Sequence, residues 1–231
     1  MSTPSPAAEP QGEGSPRPGI RLPHTLGHLA SGALAVTAVA TVAAAVAQWH
    51  MDSVIGPLHD NASVRTADGY IRADMWLGNL LGALKICLGV TVVLLAVWFA
   101  RMRANARLLD PAWQQRHGAG WLLLSFLCAI GLLFVPKMIV NDIWAASTPR
   151  PDQRRGNGLL TVWWLAVVAA VLQLSQGLKE LGGTDATWEV RQGLDTLLLA
   201  DVPLVVACAL TFLVVRRLGA LQAGHPAAAQ S

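Results

Sequence analysis

Charged residues are scarce along this chain of 231: Asp, Glu, Lys and Arg together make up 13% of it, about half the roughly 25% of a soluble domain. With 53% hydrophobic residues and a mean hydropathy of +0.45, too little charge remains to cover a water-facing surface. Lipid is therefore expected to solvate part of the molecule. Cysteine is equally sparse. Cys87, Cys128 and Cys208 stand far apart, each inside an apolar run, which fits neither a disulfide framework nor a CxxC metal spacing. The chain also lacks a GxSxG elbow, an HExxH pair, a P-loop and a dinucleotide-type glycine loop. Its connecting segments, about 15–25 residues each, fall below the roughly 40 that a domain needs to fold alone. No enzyme activity, metal or cofactor is expected. The formal net charge is only +3, and no Lys/Arg face with interleaved aromatics emerges, so no nucleic-acid partner is expected.

Long apolar runs are what the chain does have. Residues 1–26 carry Pro4, Pro6, Pro10, Pro16, Pro18 and Pro23 among Ser, Gly and Glu, and read as a disordered, proline-rich tail. A helical membrane domain follows over 27–217, with apolar segments at about 29–49, 75–100, 121–147, 159–178 and 194–215. At about 1.5 Å per residue, roughly 20 residues cross a ~30 Å hydrocarbon core. The run Trp121–Val135 is short and closes on Pro136 and Lys137, so 121–147 reads as a helical hairpin broken at Pro136. Residues 218–231 read as a second disordered tail. The composition, with arginine far ahead of lysine and much Ala, Gly and Trp, suggests a GC-rich bacterial gene.

Charge chooses between topologies, because short cytoplasmic segments collect Lys and Arg. Five full spans from a cytoplasmic N-terminus put eight such residues on each side, which is no bias. If 121–147 instead enters and returns on one side, the inside holds Arg17, Arg21, Arg101, Arg103, Arg107, Arg116, Lys137, Arg150, Arg154, Arg155, Arg216 and Arg217. The outside then keeps only Arg65, Arg72, Lys179 and Arg191. The expected fold is an all-α membrane protein: four transmembrane helices plus a Pro-broken re-entrant or interfacial hairpin, with five full spans as the alternative. Both termini then face the cytoplasm, and the basic face meets anionic lipid headgroups of a bacterial inner membrane.

From Val97 to Leu174 the motifs VWFARMRANARLL, GWLLLSF, VPKMIVNDIWAAS and GLLTVWWLAVVAAVLQL resemble those of the bacterial family called domain of unknown function 4328. The matching positions are Trp98, Arg101, Arg103, Gly120, Trp121, Pro136, Asp142, Trp144, Ala146, Ser147, Trp163 and Trp164, with Arg216-Arg217 closing the last span. Where family members often place a Pro and an Asn inside the third run, this chain has Ala129 and Leu132. The resemblance implies a multi-span membrane architecture and assigns no activity.

Two ionisable residues fall deep inside spans, where an unpaired charge costs at least ~2.5–3.5 kcal/mol. Lys85 lies about 15 Å in from Met75 and Asp201 about 10 Å in from Leu194, at about 1.5 Å per residue. Under the four-span topology both depths are measured from the outer face. A polar cluster of Lys85 and Asp201 with Asn79, Gln173 and Gln176 is therefore expected. It would serve as structural glue or line a small outward-facing pocket; the alternative has Lys85 snorkelling to the interface. Trp49, Trp76, Trp98, Trp163 and Trp164 sit at segment ends and read as headgroup anchors. Gly78-x-x-x-Gly82 and the series Ala33, Thr37, Thr41 and Ala45 read as packing stripes. His24 and His28, four apart, read as solvated rather than as metal ligands, and His50 and His59 with Asp52 and Asp60 in the outer loop make at most a weak surface metal contact. The expected function is that of a non-enzymatic structural or interaction component, acting as a homo-oligomer or with a protein partner. The alternative is a small carrier or channel component built around Lys85 and Asp201.

Overall fold

Long stretches rich in Ala, Leu and Val, with few helix breakers, favour continuous helix, and in lipid a helix satisfies its own backbone. The computed structural model describes residues 24–60, 64–109, 129–148, 158–181 and 187–225. These form five helices: α1 His24–Asp60, α2 Val64–Leu109, α3 Ala129–Ser147, α4 Gly158–Leu181 and α5 Thr187–Ala223. Among the described residues there is no strand. Helices α1, α2, α4 and α5 are long and apolar enough to cross a membrane.

The helices outrun the apolar segments that mark them. With 46 residues, α2 is about 70 Å long, more than twice a ~30 Å hydrocarbon core. The expected loop at 50–74 is helical at both ends, because it hides a further packing surface: Met51 and Ile55 of α1 bury against Ala73 and Leu77 of α2 and Leu194 of α5. Likewise α1 already begins at His24, inside the expected tail, and α5 runs on to Ala223, where the Gly224 N–H closes on the Ala220 carbonyl at 3.0 Å. Residues 1–23 and 226–231 lie outside the described residues.

The expected break at Pro136 is absent; α3 runs through it without interruption. A proline inside a helix forfeits one backbone hydrogen bond and costs about 3 kcal/mol. The turns that follow offset this by burying Ile139, Val140, Ile143 and Ala146 in the largest core cluster. Residues 110–128 lie outside the described residues, and with them 121–128 of the expected hairpin's first arm; 129–135 belong to α3. Pro203 is carried inside α5 in the same way.

Helix α1 packs against α2 and α5, α5 packs against α4, and α3 fits between α2 and α4. Two stripes of seven-residue spacing on α1 build the centre. Ala30, Thr37, Ala44 and Met51 run antiparallel to Trp98, Thr91, Leu84 and Leu77 of α2, all of them buried, with Thr37 Oγ1 2.8 Å from Thr91 Oγ1. Leu34, Thr41, Gln48 and Ile55, also buried, form the second stripe, along α5. On the outer surfaces Val36, Val39, Val46, Trp76, Ile86, Val93, Leu165, Leu199 and Val202 stand exposed, more apolar surface than a water-facing monomer usually carries.

The ends of the bundle differ. The start of α1, the end of α2, the second half of α3, the start of α4 and the end of α5 meet at one end, where Met102, Ile143, Leu160 and Leu218 share one core. The chain thus leaves this end at Leu109 and is back at it by Gly158.

Along α4, Gly177, Ala170 and Trp163 face Leu197, Leu204 and Thr211 of α5 in antiparallel register. A Cβ at Gly177 would lie 2.7 Å from the Leu197 side chain and 3.2 Å from its backbone nitrogen. Gly177→Val should therefore lower stability by about 1–3 kcal/mol through overpacking. Gly78→Ala, where a Cβ meets nothing within 4 Å, should not. Melting of the two variants in one detergent checks this.

Candidate functional site

Polar side chains in an apolar bundle must find partners, because an unsatisfied buried group costs about 1–3 kcal/mol. Besides the threonines of the α1 seams, the middle of the bundle buries Gln48 of α1 and Asp201 of α5, 1% and 7% exposed. The Gln48 amide donates to the Asp201 carboxyl. Gln48 Oε1 and Asp201 Oδ2 are left without a hydrogen-bond partner among the described residues, as is Gln173 Oε1 on α4. The α4–α5 register sets Gln173 level with Asp201.

The expected cluster around Lys85 is not assembled. Lys85, Asn79 and Gln176 are all exposed, and the polar neighbour of Asp201 is Gln48. The physical reason is helix order: α1 lies between α2 and α5 along most of their length, so the α2 face bearing Lys85 does not reach Asp201. A Cβ at Gly78 or Gly82 would meet nothing within 4 Å, so among the described residues that motif joins no helices. Of the other expected packing stripe, Thr37 and Thr41 are buried while Ala33 and Ala45 are only half-buried.

A denser polar site lies at the end where the five helices meet. Gln222 of α5 is 0% exposed. Its Nε2 donates to the Met102 carbonyl at 2.9 Å and to Ser147 Oγ at 3.0 Å, while its Oε1 accepts from Asn105 Nδ2 at 3.3 Å. One amide thereby joins α2, α3 and α5. Beside it the buried Arg103 of α2 has Asp142 of α3 as its opposite charge and Arg107 as a like one. Thr148 closes α3, donating from Oγ1 to the Trp144 carbonyl at 2.8 Å.

The tryptophans expected as headgroup anchors divide. Trp49 and Trp76 are exposed, as anchors would be, but Trp98 and Trp163 are 2% and 4% exposed and Trp164 is buried with them. Trp98 meets Phe99 edge-on with centroids 5.0 Å apart, and Phe99 leads on to Trp163 at 6.4 Å. The Trp163 indole donates to Thr211 Oγ1 at 2.8 Å, and Thr211 donates in turn to the Ala207 carbonyl at 2.6 Å. A buried indole that finds an acceptor is a core residue, so paired tryptophans opening a span mislead when read by position alone.

Of the remaining motif residues, Ala146 and Ser147 are buried, Trp144 packs partly against the core, and Arg101 is exposed. Pro136 helps line an apolar groove of about 310 Å³ between α2 and α4, floored by Phe99, Trp163 and Trp164. Gly120 and Trp121 lie outside the described residues. No group of three or more His, Cys, Asp or Glu suited to a metal occurs among the described residues. His50 and Asp52 stand on one helix, α1, rather than in a loop.

Sequence reasoning missed Gln48, Asn105 and Gln222. The signal for Gln48 was there: it continues the Leu34–Thr41 spacing of seven, as Gln222 continues Cys208 and Val215.

These features define an all-helical protein with four membrane-capable helices, stapled at one end by buried polar contacts. The chain belongs to the family described as domain of unknown function (DUF4328), whose family model matches residues 62–220. Neither the curated proteins nor the solved structures yield a match to the chain.

Gln48→Leu, which strands the Asp201 carboxyl, should cost about 1–3 kcal/mol, and adding Asp201→Leu should recover most of it. Recovery is read from melting of the single and double variants in one detergent; a double variant as unstable as the single would show that the two groups are not coupled. Gln222→Leu, which orphans groups on two other helices, should cost as much as Gln48→Leu or more.

Proposed function

We propose that this chain is a non-enzymatic, multi-pass protein of a bacterial cytoplasmic membrane, with a structural or interaction role carried by its basic end. One observation supports this above the others: the polar side chains at the motif positions are spent on joining helices. Asp142 faces Arg103, Ser147 receives the Gln222 amide and Trp163 binds Thr211. Nucleophiles or acids for catalysis need open space beside them for a reacting atom, and these are closed into the packing. What the basic end offers outward is Arg101, Arg107, Arg216 and Arg217, all exposed. Such a band favours the cytoplasmic leaflet and its anionic headgroups.

In this reading residues 110–157 begin and end on the cytoplasmic side, and four helices cross. Reporter fusions at residues 115, 150 and 225 should all report cytoplasm, and one at 185 the opposite side. A fusion at 150 that disagrees with one at 115 would overturn the arrangement. For the interaction role, a photocrosslinker at Arg101 or Arg107 should give a discrete product, a second copy or one partner, that a crosslinker at Arg72 does not. The carrier alternative draws support from Asp201 alone, since Lys85, the cation expected beside it, stands exposed on α2.

A further inference from the structure

At the basic end, between the first two turns of α1 and the last turns of α5, lies a cleft of about 280 Å³ with Trp98 at its floor. Its polar groups are donors: His24, His28 and Ser31 from α1, Arg216 from α5 and the Trp98 indole N–H. The N–H is the telling group. Trp98 is nine-tenths buried and more, yet its N–H has no hydrogen-bond partner among the described residues, unlike that of Trp163. Glycine at 27 leaves that edge open to the cleft, since a Cβ there would lie 3.3 Å from Trp98 Nε1. The first turn of α1 holds no acidic residue, but the last turns of α5 face it across the cleft with the opposite end charge, so the side-chain donors set the sign of the cleft. Arg216 holds its guanidinium 5.7 Å from the Phe212 ring centroid, a cation–π contact that steadies the group without an acceptor.

A metal ion suits this cleft badly: it offers two imidazoles, no carboxylate and no thiol, with a guanidinium alongside. An oxyanion with several acceptor oxygens suits it well.

We propose that the cleft binds a phosphate group, with Arg216 and the Trp98 N–H as its principal donors and His24, His28 and Ser31 closing over it from α1. Arg216-Arg217 end the apolar run of α5 and Leu29 begins that of α1. On the membrane reading given above, the cleft therefore stands at headgroup depth, and a phosphodiester headgroup and a soluble phosphate are its two sources. The phosphate chemistry itself rests on the donor set and not on that reading.

The test uses the full chain in an uncharged detergent with two probes, inorganic phosphate and phosphatidylglycerol added as mixed micelles against a phosphatidylcholine control. Melting temperature and lipid retention in native mass spectrometry are the readouts. Phosphatidylglycerol should raise the melting temperature where phosphatidylcholine does not. Arg216→Gln should weaken that binding about tenfold or more, the loss of a charge-assisted fork. Gly27→Leu, which alters no charge and fills the cleft, should do the same. Arg217→Gln, equal in charge change but outside the cleft, should leave binding within about twofold. Inorganic phosphate acting alone, with the same pattern across variants, assigns the site to a soluble phosphate; silence from phosphate with a response to the lipid assigns it to a headgroup. Equal losses in Arg216→Gln and Arg217→Gln would reduce the effect to diffuse attraction and overturn the site, as would no response to either probe. The Gly27→Leu variant is read only against its own ligand-free melt; should it fail to fold, the comparison of the two arginine variants decides.

Discussion

Close contact along α1 is the constraint on which the rest of the bundle depends. In lipid there is little hydrophobic gain from bringing two apolar helices together, so association relies on fit between surfaces and on the few polar contacts between them. Helix α1 supplies both on two faces. Its Ala30–Met51 stripe is small at three of four positions and admits the larger side chains of α2, and its Leu34–Ile55 stripe lies along α5. Threonine hydroxyls satisfy one another or the backbone inside these seams, as Thr41 does with the Thr37 carbonyl at 2.9 Å. Only at Gln48 and Asp201 does the seam hold groups whose acceptors outnumber their donors. The family match begins at residue 62, so this central helix lies ahead of the matched stretch, and Asp201 and Trp98 within the match are met by groups from outside it.

Helix content and the four membrane-capable segments were legible in the sequence because hydropathy is a property of each segment alone. Segment α4 was readable almost to the residue, since its apolar text and its helix coincide. The extensions of α1 and α2 were not, because their buried positions, Met51, Ile55, Ala73 and Leu77, are diluted by exposed polar neighbours and show only as a spacing of seven. Pro136 pointed to a break for a sound local reason, and tertiary burial of the turns after it outweighed the lost backbone bond.

Side-chain partnerships were legible least of all. Depth alone paired Lys85 with Asp201, but depth does not say which helices are neighbours. Once α1 separates α2 from α5, the same depth selects Gln48 instead. The buried tryptophans teach a related lesson: Trp98, Trp163 and Trp164 lie near segment ends, as anchors do, and neighbouring helices that hydropathy cannot place, α3 and α5 among them, bury them. The motif resemblance proved the more reliable guide, since Asp142, Ser147, Trp98 and Trp163 all converge at the end where the helices meet, although it did not reveal Asn105 or Gln222.

The seating of α3 gives the molecule unequal girth. Among the described residues five helices share the cross-section at the basic end, whereas four continue to the other. Along α4 the side chains that face α5 grow toward that end, from Gly177 through Ala170 to Trp163. A body of this form displaces more lipid from one leaflet than from the other, so the bilayer's resistance to area imbalance bears on it wherever it sits. The broad end is also the one that carries the exposed Arg101, Arg107, Arg216 and Arg217, so width and charge are asymmetric in the same sense.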